Sequence, residues 1–346
     1  MSVAATEDDV GVDTAPPVSI VLPTLNERSY LRDCLDTLVD QDYPNVAEIL
    51  VVDGGSTDGT PDLAAAYAPL VRVVDNPDVT AAAAMNRGLA EAGSEVIVRA
   101  DAHTLYSPDF VRCSVDALGS SGAAVVGGPM RPVGRTSFGR AVAAVTSSPF
   151  GVGPGRFHYA ETARDVETVY LGTYRRDTVT DVGGYDQTDL QWAAEDQELN
   201  YRIRRVGGRI RLDPGIRSQY FPRQEPRALW RQYFNYGLCK ASTLKKHRRL
   251  PYLRPLVPAG MVAVAALVAA AGVATGRPAL AAAPLGGYLL GAGAVAIRLS
   301  DDPGIAPHRT LAALAICHWS YGLGFWAGIG RILTGRPFDT RPRRGR

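Results

Sequence analysis

Between Val18 and His103 four short apolar runs recur: "VSIVLPTLNE", "AEILVVD", "VRVVDN" and "EVIVRADAH". Three stretches with helical spacing separate them, "YLRDCLDTLVDQ", "PDLAAAYA" and "TAAAAMNRGLAEAG". Apolar strands alternating with helices are buried on both faces, which predicts a mostly parallel sheet covered by helices on each side. Such a sheet takes its ligands at the carboxyl ends of its strands. Asn26-Glu27, Asp53 and Asp101 all fall at such ends.

The second run continues as "EILVVDGGSTDGTPD", in which a strand stops at Asp53 and a Gly-Gly turn follows. A helix is expected from Thr60-Pro61-Asp62, with Thr60 as N-cap and Pro61 at the first helical position. The loop has neither the Gly-x-x-x-x-Gly-Lys-Ser/Thr pattern of a phosphate loop nor the Gly-x-Gly-x-x-Gly of a dinucleotide fold. Asp53 and Asp58 would repel a diphosphate but can accept hydrogen bonds from a ribose or a base. The loop therefore reads as a nucleoside pocket whose phosphates are neutralised elsewhere. An ordinary strand-turn-helix connection with solvated aspartates fits the same residues.

The fourth run, in "VRADAHTLYSPD", supplies the missing counter-charge. Extended Asp101-x-His103 puts a carboxylate and an imidazole on one side, where they can share Mn²⁺ or Mg²⁺. Alone, the same three residues also suit a satisfied loop. Further on, "GGYDQTDLQWAAEDQELNYRIRRVGGRI" places Glu195, Asp196 and Glu198 at the start of a helix whose apolar face carries Leu199 and Ile203. Acidic residues in a first turn are favoured by the helix dipole. A carboxylate there can also deprotonate an acceptor hydroxyl, and Asp196 is the candidate.

Charge is unevenly distributed. Residues 1–198 hold 13 Lys/Arg against 30 Asp/Glu, residues 199–254 hold 15 against 2, and the remainder holds 9 against 3. The basic block is interleaved with Tyr201, Tyr220, Trp230, Tyr233 and Tyr236, which suits anionic headgroups or a lipid-linked diphosphate. Beside a membrane segment it speaks against nucleic acid. Cys34, Cys113, Cys239 and Cys317 have no paired or metal-like spacing, which implies buried thiols and a reducing compartment. Residues 1–17 are polar and acidic and read as a disordered tail without a signal peptide. Two uncharged stretches, 256–275 and 279–297, are long enough to cross a hydrocarbon core of about 30 Å. A third, 311–330, carries His318, Trp319, Tyr321 and Trp326 and suits an interfacial helix as well as a span. The preceding "KKHRR" (245–249) marks a cytoplasmic flank.

"SIVLPTLNE", "VVDGGSTDGT", "ADAHT" and "GGYD…EDQELNYRIRRVGGRI", in this order, resemble the motifs of family 2 inverting glycosyltransferases of the GT-A fold. "RFHYAETARDVETVYLGTYRRD" and "LWRQYFNYGLCKASTLKKH", followed by apolar segments, are similar to the succinoglycan-type exopolysaccharide branch. The resemblance implies that Asp53 binds the base, that Asp101 with His103 binds metal and diphosphate, and that the Glu195-Asp196 pair supplies catalysis with Asp196 as base. The nucleotide-sugar candidates are Pro23, Thr24, Asn26, Glu27, Asp53, Gly54, Ser56, Asp58, Asn86, Arg99, Asp101, Arg231 and Tyr233. His103 departs from the family's second metal-motif Asp. The Gln-x-x-Arg-Trp motif of processive synthases is replaced by Arg231-Gln232-Tyr233, which argues for adding one sugar per encounter.

The expected architecture is a Rossmann-like GT-A domain (18–222), basic and aromatic juxtamembrane helices (223–254), membrane-embedded helices (255–333) and a basic tail (334–346). The expected activity is inverting transfer of a hexose from a nucleotide-diphosphate sugar, a UDP-sugar by preference, to a lipid-linked saccharide or polysaccharide precursor. A divalent cation is the implied cofactor. The catalytic domain is expected on the cytoplasmic side of the plasma membrane. Two alternatives compete: a metal-dependent nucleotidyltransferase, and a silent membrane scaffold of the same fold.

Overall fold

A computed structural model describes residues 15–338 apart from 154, 189–193, 249–252 and 254–255. Most of the expected 1–17 tail, Arg249 of "KKHRR" and residues 339–346 of the basic tail lie outside the described residues.

The four apolar runs form β1 (Val18–Thr24), β2 (Val46–Asp53), β3 (Val71–Asp75) and β4 (Val96–Arg99), parallel neighbours in the order β3-β2-β1-β4. Alternation of side chains sends Ile20, Leu22, Ile49 and Val51 to one face, against Leu31, Leu35 and Leu38 of helix Arg28–Val39. Val21, Leu50 and Val52 face Met85 and Leu89 of helix Ala81–Glu91 on the other. Beyond β4 the sheet runs on through Tyr170–Arg175, Val125–Gly128, Ile210–Leu212 and Arg164–Asp165 to eight strands, with antiparallel pairs entering at Tyr170–Arg175. The expected two-faced, mostly parallel sheet is what forms. A separate three-stranded sheet pairs Ser218–Tyr220 with Thr104–Tyr106 and Arg131–Pro132, and it roofs the carboxyl end of β4.

One helix start differs from expectation. Thr60 is the first residue of helix Thr60–Ala65, and Gly59, at φ 84°, precedes it. The cap is the carboxylate of Asp58, whose Oδ1 accepts from Thr60 N at 3.0 Å and from Thr60 Oγ at 2.6 Å. A carboxylate two residues back reaches the free N–H, which leaves Thr60 Oγ to accept from Glu27 N at 3.0 Å. Thr80, by contrast, caps Ala81–Glu91 through Ala83 N at 3.1 Å.

The C-terminal third is helical. Pro226–His247 lies on the catalytic domain, and Leu256–Ala274 and Pro278–Arg298 form an apolar hairpin. Both helices are long and apolar enough to cross a membrane, and little of either is buried within the chain. The third uncharged stretch is a helix from Pro307 to Leu333 with a π-helical turn at Ile316–Ser320. Its last segment packs on Pro226–His247 at backbone distance: a Cβ on Gly237 would stand 2.0 Å from Tyr321 O, and one on Gly324 2.0 Å from Phe234 O. All four cysteines are free; Cys34, Cys239 and Cys317 are buried and Cys113 is partly so.

Candidate active site

The ends of β1 and β2 are stitched together by their own polar side chains. Register puts Thr24 opposite Asp53, and Thr24 Oγ donates to Asp53 Oδ1 at 3.1 Å. Asp53 also accepts from Gly55 N (2.9 Å), Ser56 N (2.8 Å) and Ser56 Oγ (2.5 Å). A carboxylate offers about four acceptor directions, and this loop occupies them. Asn26, at φ 57°, donates its N–H to Ser56 Oγ at 2.7 Å and accepts from Thr57 N at 2.9 Å. Asp58 Oδ2 takes the N–H of Arg28 at 3.0 Å. The aspartates singled out as nucleoside acceptors are thus the ones that shape the loop.

A cavity of about 1510 Å³ opens beside this lattice. Pro23, Thr24, Asn26, Glu27, Arg99, Asp101, His103, Glu195, Asp196, Arg231 and Tyr233 all line it. Asp53, Gly54, Ser56, Asp58 and Asn86 are not on its wall. Asn86 is committed elsewhere: its amide donates to Tyr185 O at 2.8 Å and accepts from Tyr185 N at 2.7 Å, fixing the Gly183-Gly184 turn.

Arg99, at the end of β4, organises the acidic side. Its Nη2 lies 2.9 Å from Glu195 Oε1 and 3.7 Å from Asp101 Oδ1, while its buried Nη1 has no partner among the described residues. Glu195 is held by this pair, and that leaves Asp196 as the carboxylate open to chemistry. Asp196 is half-buried in the first turn of helix Glu195–Arg205, after Ala194 in a left-handed conformation at φ 62°. Burial and the adjacent Glu195 push its pKa up to about 6, against the opposing pull of Arg99 and Lys240. Leu199 and Ile203 anchor the same helix in the core, as their spacing implies.

His103 Nδ1 is buried without a hydrogen-bond partner among the described residues, and Glu27 Oε1 stands 3.7 Å away. No group of three or more His, Cys, Asp or Glu side chains is arranged to hold a metal among the described residues. An orphaned imidazole nitrogen two residues from the Asp101 carboxylate nevertheless fits a hard cation that draws its remaining ligands from a diphosphate.

Sequence reasoning missed part of the wall. Met130, Thr146, residues 149–153, Phe157 and His158 face the cavity, as do Tyr220, Tyr236 and Lys240. So do Val257, Pro258 and Met261 of the first apolar helix and Tyr288 of the second. Composition had marked 199–254 as a basic and aromatic block, but nothing in it distinguished Lys240 from its neighbours.

Residues 19–172 match the profile of "Glycosyl transferase family 2". The chain is 33% identical over 317 residues to the succinoglycan biosynthesis protein ExoA of Rhizobium meliloti (strain 1021), covering 89% of this chain and 93% of that protein. It is 26% identical over 240 residues, 66% of this chain and 74% of the other, to a dolichyl N-acetyl-alpha-D-glucosaminyl phosphate 3-beta-D-2,3-diacetamido-2,3-dideoxy-beta-D-glucuronosyltransferase of Methanococcus voltae. Among solved structures, the mannosyltransferase PcManGT of Pyrobaculum calidifontis, in complex with GDP-Man and Mn²⁺, superposes with a TM-score of 0.54. That match is at 21% identity and covers 93% of this chain and 90% of that one. The sheet and helices are those of the GT-A fold, and the chain belongs to glycosyl transferase family 2.

Proposed function

We propose that the chain is a membrane-associated inverting glycosyltransferase. It moves a sugar from a nucleotide-diphosphate sugar, a UDP-sugar by preference, to a hydroxyl of a lipid-linked saccharide or polysaccharide precursor. The observation that carries this reading is Asp196. It is a carboxylate with a pKa near 6, held at a helix start and facing a cavity that extends from the β-strand ends to the apolar hairpin. A base with that pKa is ionised at neutral pH yet basic enough to take an alcohol proton as the bond to the anomeric carbon forms. Attack from the side opposite the leaving diphosphate inverts the anomeric configuration. Arg99, with one guanidinium nitrogen unpaired, is placed to bind the departing phosphates. Asp101 and His103 would hold Mn²⁺ or Mg²⁺, which when bound neutralises the diphosphate; the Mn²⁺ in the mannosyltransferase complex supports this choice.

The shape of the cavity supports a lipid-linked acceptor. About 1510 Å³ exceeds the roughly 300–1,000 Å³ of a typical small-ligand pocket, and part of the wall belongs to helices long and apolar enough to enter a bilayer. The ExoA likeness supports a role in exopolysaccharide assembly, and the basic flank ahead of the apolar hairpin supports a catalytic domain on the cytoplasmic side of the plasma membrane. The test is release of nucleoside diphosphate by purified protein in detergent, across UDP- and GDP-sugars, with a polyprenyl-diphosphate saccharide as acceptor. Asp101→Ala and EDTA should each abolish turnover. Full activity in EDTA refutes the cation, and release of pyrophosphate would mark a nucleotidyltransferase. No turnover with any donor leaves the scaffold reading.

A further inference from the structure

The helix that carries Asp196 is gripped from outside the strands that bind nucleotide. Lys246 Nζ lies 2.7 Å from Asp186 Oδ2 and 2.8 Å from Glu198 Oε1, and these carboxylate side chains are 5% and 0% exposed. Asp186 and Glu198 bracket the stretch of chain that contains Glu195 and Asp196, so one ammonium joins its two ends. Glu198 also receives Arg202 at 2.8 Å and His247 Nε2 at 2.9 Å. Arg202 donates onward to the carbonyls of Val182 and Gly184. Two turns earlier on the Lys246 helix, Lys240 donates to Gln197 Oε1. Of the four consecutive side chains 195–198, three are engaged by a cation, Glu195 by Arg99, Gln197 by Lys240 and Glu198 by Lys246, while Asp196 Oδ1 accepts only the N–H of Gln197 among the hydrogen bonds of the described residues.

The geometry points to Lys246 as a positioning residue, an electrostatic staple that fixes the Asp196 turn only while helix Pro226–His247 is docked on the catalytic domain. Two features give the staple work to do. Ala194 holds a left-handed conformation that L residues adopt rarely, so the turn before Glu195 needs outside constraint. Joining Asp186 to Glu198 also removes conformations in which Asp196 would point elsewhere. Lys246 occupies the last turn before the apolar hairpin, so seating of the hairpin and setting of the base are linked through a single side chain. The neighbouring Lys245 has no carboxylate partner of this kind among the described residues; its ammonium stands 5.7 Å from the Phe338 ring.

The inference rests on the transferase reading for the step it affects, whereas the staple itself can be tested without turnover. Full-length Lys246→Met and Lys246→Arg are compared with the unmodified chain by hydrogen exchange over 194–205, by UDP and GDP titration, and by turnover. Lys246→Met should exchange faster across 194–205 with β1 to β4 unchanged, and it should bind nucleotide within about twofold of the parent. Its turnover should fall on the order of 10²-fold, the usual cost of a catalytic group displaced by about 1 Å. Lys246→Arg should restore exchange and most of the turnover. Unchanged exchange over 194–205, acceleration spread through the whole domain, or turnover within twofold of the parent each overturns the proposal. If the parent turns over no donor, the transferase reading fails and exchange alone decides the staple.

Discussion

Asp196 and Glu195 sit side by side in different electrostatic surroundings. Arg99 neutralises Glu195, and burial beside that pair raises Asp196 to about 6. The proposed mechanism needs Asp196 ionised, so kcat should rise with pH through about 6 and level off above it. Glu195→Gln removes the adjacent negative charge and frees Arg99, so Asp196 ionises more readily and the midpoint should move to lower pH. A midpoint that stays put under Glu195→Gln would reassign the titrating group. Asp53 acts on a different quantity. Asp53→Ala strips acceptors from Gly55 N, Ser56 N and two hydroxyls, at about 1–3 kcal/mol for groups left unsatisfied, and nucleotide affinity should fall with the loop. Asp53→Asn keeps one oxygen and should retain most of both, and Asp196→Asn should leave nucleotide affinity nearly intact. Calorimetric titration with UDP and GDP, beside thermal unfolding, distinguishes them. That Asp101, His103 and Asp196 would line a cavity was legible because strand and helix ends expose what they carry. Asp53, Asp58 and Asn86 were legible only as polar, since a sequence does not show whether an oxygen meets a ligand or its own loop.

At the scale of elements, the alternation of short apolar runs and helical patterns was enough to place β1 to β4 and their helices. The weld between Pro226–His247 and Tyr321–Leu333 was not. It depends on Gly237 and Gly324, each set against the backbone of the opposite helix, and glycines in a helix look the same in sequence whether they meet lipid or another backbone. Gly324→Ala would put a methyl group 2.0 Å from Phe234 O, so the helices must separate. Overpacking of this kind typically costs about 1–3 kcal/mol. The expected result is a lower unfolding temperature together with reduced turnover, because Phe234 and Tyr233 line the cavity. Gly330→Ala, where a Cβ meets nothing within 4 Å, is the control and should change neither.

For the whole molecule, charge and packing bear on topology together. The apolar hairpin returns the chain to its starting side near Arg298, and the following helix is occupied by contact with Pro226–His247. We therefore expect 311–330 to lie along the inner face beside the active site, with the C-terminus cytoplasmic. A reporter fused after Arg346 should be active only inside; activity confined to the outside would establish a third crossing. The composition of 311–330 could not settle this, because aromatic and glycine-rich helices suit an interface and a bilayer alike.

The cavity wall shared by Asp196 and by Val257, Met261 and Tyr288 of the hairpin also changes which concentration matters. An enzyme and an acceptor confined to one sheet of lipid meet by lateral diffusion, so the rate should follow the mole fraction of acceptor in that sheet. Diluting vesicles with buffer should leave turnover per enzyme unchanged at saturating donor. Diluting the acceptor with inert phospholipid, at constant bulk amount, should lower it in proportion.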